Sequence, residues 1–232
     1  MFNYITDKVK TGIIFLQETH SIEENIKTWK SEWKGDLYCN HGSSNSRGTL
    51  IGFTDKLSYQ ILKYEFDDDG RLQIMSIKCN DKKYLLVNIY NENVEQNQVI
   101  LIKKLDDKLT NFDNLLDHEI ILGGDWNFIF NRRLDAEGGN PTLKMNSIAE
   151  IRKIMAKYEL TDIFRIRYPE RSCFTFRQEN SKLLRRLDYF LVSNTLQETV
   201  LNTEVLASLA SDHSPVLISF KVGEECKSES GY

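Results

Sequence analysis

The sequence has little that would interrupt or cross-link a folded chain. Only three of its 232 residues are proline, at positions 141, 169 and 215, and none interrupts the strongest strand candidates. The four cysteines are scattered, without a C-x-x-C pair. That spacing argues against a zinc ribbon and, more weakly, against a disulfide scaffold, so reduced thiols in an intracellular protein are the simpler interpretation.

Long apolar runs and a strong excess of one charge are also missing. No stretch reaches about 18 consecutive apolar residues, so the sequence predicts no membrane span. The segment "MFNYITDKVK" lacks the apolar core and cleavage site of a secretion signal. The net charge of −4 does not by itself indicate a nucleic-acid-binding protein. We therefore expect an intracellular protein that is neither secreted nor membrane-bound.

Short apolar runs rich in Ile, Val, Tyr and Phe recur along the chain and predict strands. Helical patterns lie between them at 21–33, 94–116 and 147–160. The predicted strands are 13–17, 36–40, 48–53, 57–66, 71–80, 84–90, 119–125, 173–176, 186–192 and 215–222. Many strands with few long helices predict two packed, mostly antiparallel sheets flanked by helices, an α/β sandwich. We expect one domain over residues 1–222 and a polar tail over 223–232.

Two of the apolar runs end abruptly on polar residues. "GIIFLQETH" stops at Glu18, and a carboxylate at the end of a buried strand needs a charged or hydrogen-bonding partner. In "EIILGGDWNF", Gly123 and Gly124 would allow close backbone approach just before Asp125. Asp125 and Asn127 would point the same way on an extended chain and reach one small object together. An Asx-type turn that caps the strand is an equally good interpretation.

Two further polar clusters lie near the C-terminal end. Asp188 interrupts the apolar strand in "RRLDYFLVS", where it needs a partner that is either a neighbouring arginine such as Arg186 or a histidine. "SDHSPV" supplies His213, which is otherwise explained as part of a polar turn. If the clusters converge, Asp188 would orient His213, and His213 and Asp125 would flank a phosphorus atom.

"LQETH", "GGDWN", "RLDYFLVS" and "SDHSPV", in that order, resemble the endonuclease/exonuclease/phosphatase superfamily. This is the fold of DNase I and of the exonuclease III-type apurinic/apyrimidinic endonucleases. The segments "VNIYNEN" and "LTDIFRIRYPERSCFTF" are similar to the endonuclease domain of non-LTR (LINE-like) retrotransposons. The resemblance covers about residues 13–220 and implies a four-layered sandwich that hydrolyses phosphodiesters and nicks DNA.

The resemblance also implies catalytic roles for the residues that match the motifs. Tyr90 matches the active-site tyrosine that contacts the phosphate. Asp125 and Asn127 match the catalytic aspartate and the phosphate-binding asparagine, and Asp188 matches the aspartate paired with the catalytic histidine, His213. Either Asp125 or His213 could be the base that activates the attacking water.

A metal and a nucleic acid are implied as well. Glu18 matches the Mg²⁺-binding glutamate, Asp212 matches a carboxylate close to the metal, and Mn²⁺ would suit the same oxygen ligands. Residues 165–186 form a basic segment within an acidic protein, which is either a surface for phosphates or a solvated face. The residues predicted to contact DNA are Thr175, Arg177, Arg185 and Arg186. We expect a monomer, with nuclear residence if DNA is the substrate.

The sequence departs from the family at two places. In "VNIYNEN", Glu92 stands where the nucleases usually have the proline of Tyr-x-Pro-Asn. "MFNYITDKVKTG" resembles the tail of the first helix, so the usual first strand and its asparagine are expected to be absent, which would leave a gap in one sheet. Relatives carry a reverse transcriptase, for which this sequence has no room. A truncated, catalytically impaired relic and a phosphatase acting on another phosphoester are therefore the alternatives.

Overall fold

The computed structural model describes residues 9, 12–43, 45–178, 181–208 and 211–222. The helix tail predicted for residues 1–12 lies mostly outside these residues, and so does the polar tail predicted for 223–232. Within them, no helix has both the length and the apolar character that crossing a membrane requires.

The described strands, in chain order, are β1 (Ile13–Gln17), β2 (Gly35–Asn40), β3 (Thr49–Thr54), β4 (Gln60–Phe66), β5 (Leu72–Cys79), β6 (Lys82–Tyr90), β7 (His118–Asp125), β8 (Ala136–Glu137), β9 (Leu160–Asp162), β10 (Phe176–Arg177), β11 (Leu184–Arg185), β12 (Asp188–Ser193), β13 (Val200–Val205) and β14 (Val216–Phe220). The helices are α1 (Ile26–Glu32), α2 (Glu95–Thr110), α3 (Met145–Lys157), α4 (Ile163–Arg167) and α5 (Asn194–Gln197). Short 3₁₀ turns lie at Glu23–Asn25 and Leu115–Asp117.

Several predicted elements are shorter than expected, and two of them end beside local side-chain hydrogen bonds. The helix predicted over 94–116 ends at Thr110, where the Thr110 hydroxyl and the Asn111 amide donate to the Asp106 and Asp107 carbonyls. Such local hydrogen bonds compete with further helix. The strand predicted over 173–176 is reduced to β10, and the hydroxyl of Thr175, just before it, accepts from the N–H of Asp188.

A six-stranded sheet in the order β4-β5-β6-β7-β12-β9 forms the centre of the molecule. Strands β6 and β7 are parallel, with α2 as the crossover between them that a parallel pair needs, and the other described pairings are antiparallel. Helices α2 and α3 cover one face of this sheet, where Leu105 and Ile151 are fully buried. That apolar cluster is one half of the hydrophobic core.

The other face of the six-stranded sheet packs against two smaller sheets, β1-β3-β2 and β13-β14. Buried side chains of β3, such as Phe53, meet those of β5 and β6, such as Met75 and Leu86. On the far side of β1-β3-β2, the partly buried Trp29 of α1 packs against Leu37. Trp33, which directly follows α1, is part of the same apolar cluster. The layers are thus helix, sheet, sheet and helix, and the predicted α/β sandwich is confirmed.

The layer opposite the six-stranded sheet is divided. Among the described residues, β1 pairs only with β3 and β14 pairs only with β13. An apolar cavity of about 620 Å³ lies between these two strands, lined by residues that include Phe15, Leu16, Val216 and Ile218. The gap that the sequence predicted for one sheet is therefore present in the part of the chain that the structure describes.

Candidate active site

Three of the predicted catalytic residues lie side by side at one end of the six-stranded sheet, because the pairing of the strands places them there. Strands β6 and β7 are parallel, and their last residues, Tyr90 and Asp125, lie opposite each other. Strand β12 runs the other way beside β7, so that its first residue, Asp188, also lies opposite Asp125. The ends of three adjacent strands thus bring a phenol and two carboxylates together.

The two glycines before Asp125 let β7 approach its neighbours closely. Gly124 has a φ of +144°, and a Cβ atom there would lie 1.9 Å from the carbonyl oxygen of Ile89 on β6. A Cβ atom at Gly123 would lie 2.4 Å from the ring of Phe190 on β12. The predicted close approach is confirmed, and the φ of Gly124 is one that glycine adopts without strain.

The partner of Asp188 is a histidine. The Nδ1 atom of His213 lies 2.8 Å from Oδ2 of Asp188. Burial alone lowers the pKa of His213, but the hydrogen bond to Asp188 and the charges of Asp188, Asp125 and Asp212 outweigh it and raise the pKa to about 9. Asp188 therefore favours the cationic imidazole and holds Nδ1, which leaves Nε2 for a substrate.

The loop that carries His213 is held by the chain segment at Thr175 and Phe176. His213 forms an isolated antiparallel bridge with Phe176, and the N–H of Ser214 donates to the carbonyl of Thr175 at 2.6 Å. The Thr175 hydroxyl in turn accepts from the N–H of Asp188 at 3.0 Å. One threonine thus links the two chain segments whose side chains form the Asp188–His213 pair.

Asp125 is almost fully buried, with 6% of its surface exposed. Burial first, and then the charge of Asp188, raise the pKa of Asp125 to about 8, against the opposing effect of His213. The N–H of Asn127 donates to Oδ1 of Asp125 at 2.9 Å, and the Asn127 amide nitrogen lies 3.1 Å from Oδ2. The Asx turn that the sequence left open is therefore present, and it brings the Asn127 amide against the Asp125 carboxylate although the backbone at Asn127 is left-handed instead of extended.

Glu18 meets Tyr90. The Tyr90 hydroxyl donates to Oε1 of Glu18 at 2.8 Å, and burial followed by this hydrogen bond raises the pKa of Tyr90. Glu18 has a left-handed backbone with a φ of +53°, and its side chain is largely exposed. Tyr90 lies opposite Asp125 in the register of β6 and β7, so the Glu18–Tyr90 pair adjoins the Asp125–His213 group.

The donor set suits a hard divalent cation. Ligand atoms of Asp125, Asp188 and His213 all lie within 4.8 Å of one another. Two further carboxylates lie next to this group, because Tyr90 holds Glu18 beside Asp125 and Asp212 directly precedes His213. Carboxylate oxygens are the ligands that Mg²⁺ and Mn²⁺ prefer, and a cation would offset this concentrated negative charge. The side chain of Asp212 is exposed and accepts from Ser211 at 3.4 Å.

Two residues predicted to contact DNA are buried instead. Thr175 is 1% exposed, and its hydroxyl accepts from the N–H groups of Leu187 and Asp188. Arg186 is 2% exposed and donates to Asp135 at 2.9 Å and also to Asp162. A buried guanidinium needs such acidic partners. Neither side chain fits the predicted contact with nucleic acid, and both support the segment around Asp188.

The other two predicted DNA contacts lie at the surface. Arg177 is exposed, and its backbone N–H donates to the carbonyl of Asp212 at 2.9 Å. Arg185 is half-buried and donates to the Glu137 carbonyl at 2.8 Å, within the small sheet β10-β11-β8. The predicted basic segment is therefore divided between internal support and surface charge.

Several residues at the site were missed by sequence reasoning. The Arg71 guanidinium lies 4.9 Å from the centre of the Tyr90 ring and donates to the Tyr90 carbonyl at 3.1 Å. His20 lies 3.9 Å from Glu18. Gln98 and Lys144 both donate to the Asn127 carbonyl. His20 belongs to the quoted "LQETH" motif and could have been included, whereas the other three carry no local signal.

The chain matches one curated relative along most of its length. It is 27% identical over 214 residues, or 91% of this chain, to the Transposon TX1 uncharacterized 149 kDa protein of Xenopus laevis. The chain spans 16% of the length of that protein.

Solved structures share the fold. The AP endonuclease LMAP from Leishmania major superposes with a TM-score of 0.75 at 18% identity, over 96% of this chain and 82% of its own. The 3′ phosphatase NExo from Neisseria, solved bound to product DNA hairpin, superposes with a TM-score of 0.65 at 16% identity, over 95% and 94% of the two chains. The family model of the Endonuclease/Exonuclease/phosphatase family matches residues 2–213. This chain, with its four motifs at one edge of a sandwich, belongs to that family.

Proposed function

We propose that the protein is a Mg²⁺-dependent DNA endonuclease that nicks one strand by hydrolysing a phosphodiester. The observation that carries the proposal is the 2.8 Å Asp188–His213 pair beside buried Asp125. The Glu18–Tyr90 hydrogen bond adjoins this group. Phosphodiester hydrolysis needs an activated water, stabilisation of the charge that develops on phosphorus, and groups that position the phosphate.

Asp125 and His213 divide the proton chemistry between them. Each of these groups shifts the pKa of the other, so Asp125 and His213 titrate together, and a bound cation would favour the deprotonated carboxylate of Asp125. One of them takes the proton of the attacking water, and the other stabilises charge at the phosphate. Asp188 holds His213 in one tautomer throughout.

The remaining residues bind and orient. Glu18 and Asp212 would hold the cation, which when bound neutralises the phosphate and polarises it. The Tyr90 hydroxyl, held by Glu18, and the Asn127 amide would donate to phosphate oxygens. Because the Asn127 amide already contacts Asp125, it is oriented before a substrate arrives.

Three observations support DNA as the substrate. Arg177 is exposed on β10, which forms a bridge with His213, so a positive side chain lies next to the catalytic loop. The curated relative is a transposon protein, and one neighbour in fold was solved with product DNA hairpin. Arginine contacts with phosphates would make the affinity depend on salt.

The test is hydrolysis of supercoiled plasmid by the purified protein with Mg²⁺, with Mn²⁺ and with EDTA. We expect conversion to nicked circles with either cation and none with EDTA. An oligonucleotide with one abasic site, a phospholipid and oligo(A) serve as alternative substrates. Turnover of phospholipid or oligo(A) without plasmid nicking would contradict the endonuclease and support a phosphatase or deadenylase. Absence of hydrolysis of every substrate would support an impaired relic.

A further inference from the structure

Asn127 adopts a left-handed backbone conformation that several hydrogen bonds hold in place. Its φ is +54°, in a region that asparagine enters more readily than most residues with a side chain. The backbone conformation decides where the amide group points, and here the amide lies 3.1 Å from Asp125 and 3.0 Å from the Asn91 carbonyl. Relaxation of the Asn127 backbone would therefore move the amide away from both.

Two donors from the helical layer hold the carbonyl of Asn127. The side-chain amide of Gln98 on α2 donates to it at 3.0 Å, and the Lys144 ammonium, one residue before α3, donates at 2.6 Å. Neither donor belongs to the loop that follows β7. The carbonyl of Asn127 is thus tied to α2 and to the residue that precedes α3, in the layer that covers the central sheet.

The same two donors also reach the loop that follows β6. Gln98 donates to the Glu92 carbonyl at 2.6 Å, and Lys144 donates to the Asn93 carbonyl at 2.8 Å. That loop follows directly after Tyr90. Gln98 and Lys144 therefore each join the loop that follows Tyr90 to the loop that carries Asn127.

Both donors occupy costly positions. Gln98 is fully buried, and its oxygen accepts from the Ser147 hydroxyl at 2.8 Å, so all its hydrogen bonds are directed inward. Burial lowers the pKa of Lys144, because its ammonium group is only partly exposed to water. A buried amide and a half-buried ammonium that converge on one carbonyl hold that carbonyl more firmly than either would alone.

We propose that Gln98 and Lys144 are positioning residues that hold Asn127, and through it the carboxylate of Asp125, in the geometry the reaction needs. The inference rests on the proposed function of the site. Neither residue touches the reacting atoms. Their effect is on the rate of the chemical step, because misplacement of a catalytic group by about 1 Å can cost on the order of 10²-fold in rate.

The kinetic test compares Lys144→Met, Lys144→Arg and Gln98→Met with a matched control, Lys157→Met. Lys157 lies on α3, and its ammonium contacts Asp106 and Thr110 instead of the site loops. We expect Lys144→Met and Gln98→Met to lower kcat for plasmid nicking on the order of 10-fold or more, with KM unchanged within about a factor of two. Lys144→Arg, which keeps a charged donor, should recover part of the loss, and Lys157→Met should match the wild type.

A double mutant separates positioning from general destabilisation. If Lys144 acts through Asn127, adding Lys144→Met to Asn127→Ala should lower kcat by less than Lys144→Met does alone, because the side-chain amide is already absent and only the backbone N–H of residue 127 still depends on Lys144. Multiplication of the two effects would overturn the proposal. So would an unchanged kcat in Lys144→Met, which decides the matter alone should Gln98→Met fail to fold.

Amide hydrogen exchange gives a readout that needs no activity. The N–H of Asn127, which donates to Asp125, should exchange faster in Lys144→Met, while amides of β5 stay unchanged. Unchanged exchange at Asn127 would contradict the positioning role. If the wild type hydrolyses nothing, the proposed function fails, and faster exchange in the variant would still establish the positioning.

Discussion

The central sheet is continuous across six strands, whereas the layer that faces it is divided into β1-β3-β2 and β13-β14. The site draws on both. Tyr90, Asp125 and Asp188 end or begin adjacent strands of the central sheet, so backbone hydrogen bonds set their spacing. Glu18 follows β1 and His213 precedes β14, on the two separate parts of the facing layer.

The difference shows where the geometry of the site is vulnerable. The positions of Glu18 and His213 depend on hydrogen bonds to the central sheet, at 2.8 Å to Tyr90 and at 2.8 Å to Asp188. Buried Asn88 of β6 adds a third link, because its amide donates to the Leu16 carbonyl of β1 at 3.0 Å. We therefore expect changes in the central sheet to affect chemistry most, and the divided layer to open most easily.

The largest effect is expected at Asp125, which the central sheet holds. Asp125→Asn keeps the size of the side chain and removes its proton chemistry, so the nicking rate should fall on the order of 10³-fold with the fold intact. Initial rates and circular dichroism measure the two quantities. Asp117→Asn, in the exposed 3₁₀ turn just before β7, is the control and should keep the wild-type rate. Comparable activity in both variants would contradict the catalytic role of Asp125.

Asp188→Asn tests the link between the two layers. We expect a rate loss on the order of 10²-fold or more, because the imidazole loses the partner that fixes its tautomer. The pKa of His213 should fall below about 9, because the hydrogen bond and the charge of Asp188 then no longer oppose the effect of burial, and only the charges of Asp125 and Asp212 still raise it. Titration of the His213 ring by NMR measures this directly. A pKa that stays near 9 would show that another group holds the proton.

The same pair makes stability depend on pH in a definite direction. His213 has a higher pKa in the folded protein than in the unfolded chain, so its contribution is full below about pH 6.5 and is lost as the pH rises through about 9. The stability difference between the wild type and Asp188→Asn should therefore be larger at pH 6 than at pH 9. Denaturant unfolding at the two pH values measures it, and a larger difference at pH 9 would contradict the assignment.

Gly124→Ala tests how closely β6 and β7 must approach. The added methyl group would lie 1.9 Å from the Ile89 carbonyl oxygen, at a φ that favours glycine, so we expect a loss of at least about 2 kcal/mol in the free energy of unfolding. Gly12→Ala is the control, since its methyl group would meet the Val9 side chain at 3.0 Å. Thermal unfolding compares the two, and equal midpoints would show that the strands can separate without cost.

Much of this arrangement could be predicted from the sequence, because the signals are local. Polar residues that end apolar runs indicated Glu18 and Asp125, and a buried carboxylate in a strand required a partner such as His213. The two glycines before Asp125 predicted the close strand approach. Periodicity of the apolar residues predicted the main strands and helices, and the sandwich follows from their number.

Distant contacts could not be predicted in this way. Arg186 resembles a DNA-binding arginine because it lies in a basic segment, yet its partner Asp135 is 51 residues away. Lys144 lies in a polar stretch before a helix, and nothing near it in the sequence indicates the Asn127 carbonyl. Residue type gives the chemistry of a side chain, but only the fold decides which neighbours satisfy it.

The smallest expected effect concerns the two layers themselves. Amides of β6 and β7 should exchange with solvent at least about 10-fold more slowly than those of β1 and β14, because an edge strand opens more easily than a central one. Hydrogen exchange followed by NMR or mass spectrometry compares them within one sample. Equal protection would mean that the divided layer is as stable as the continuous sheet.

The central claim is that side chains from both layers form one hydrolytic site with His213 in it. The most direct measurement is Mg²⁺-dependent nicking of supercoiled plasmid by the wild type and by His213→Ala, purified in the same way. We predict nicked circles with the wild type and a loss on the order of 10³-fold with the variant. Equal nicking by the two proteins would contradict the claim, because the activity would then not depend on this site.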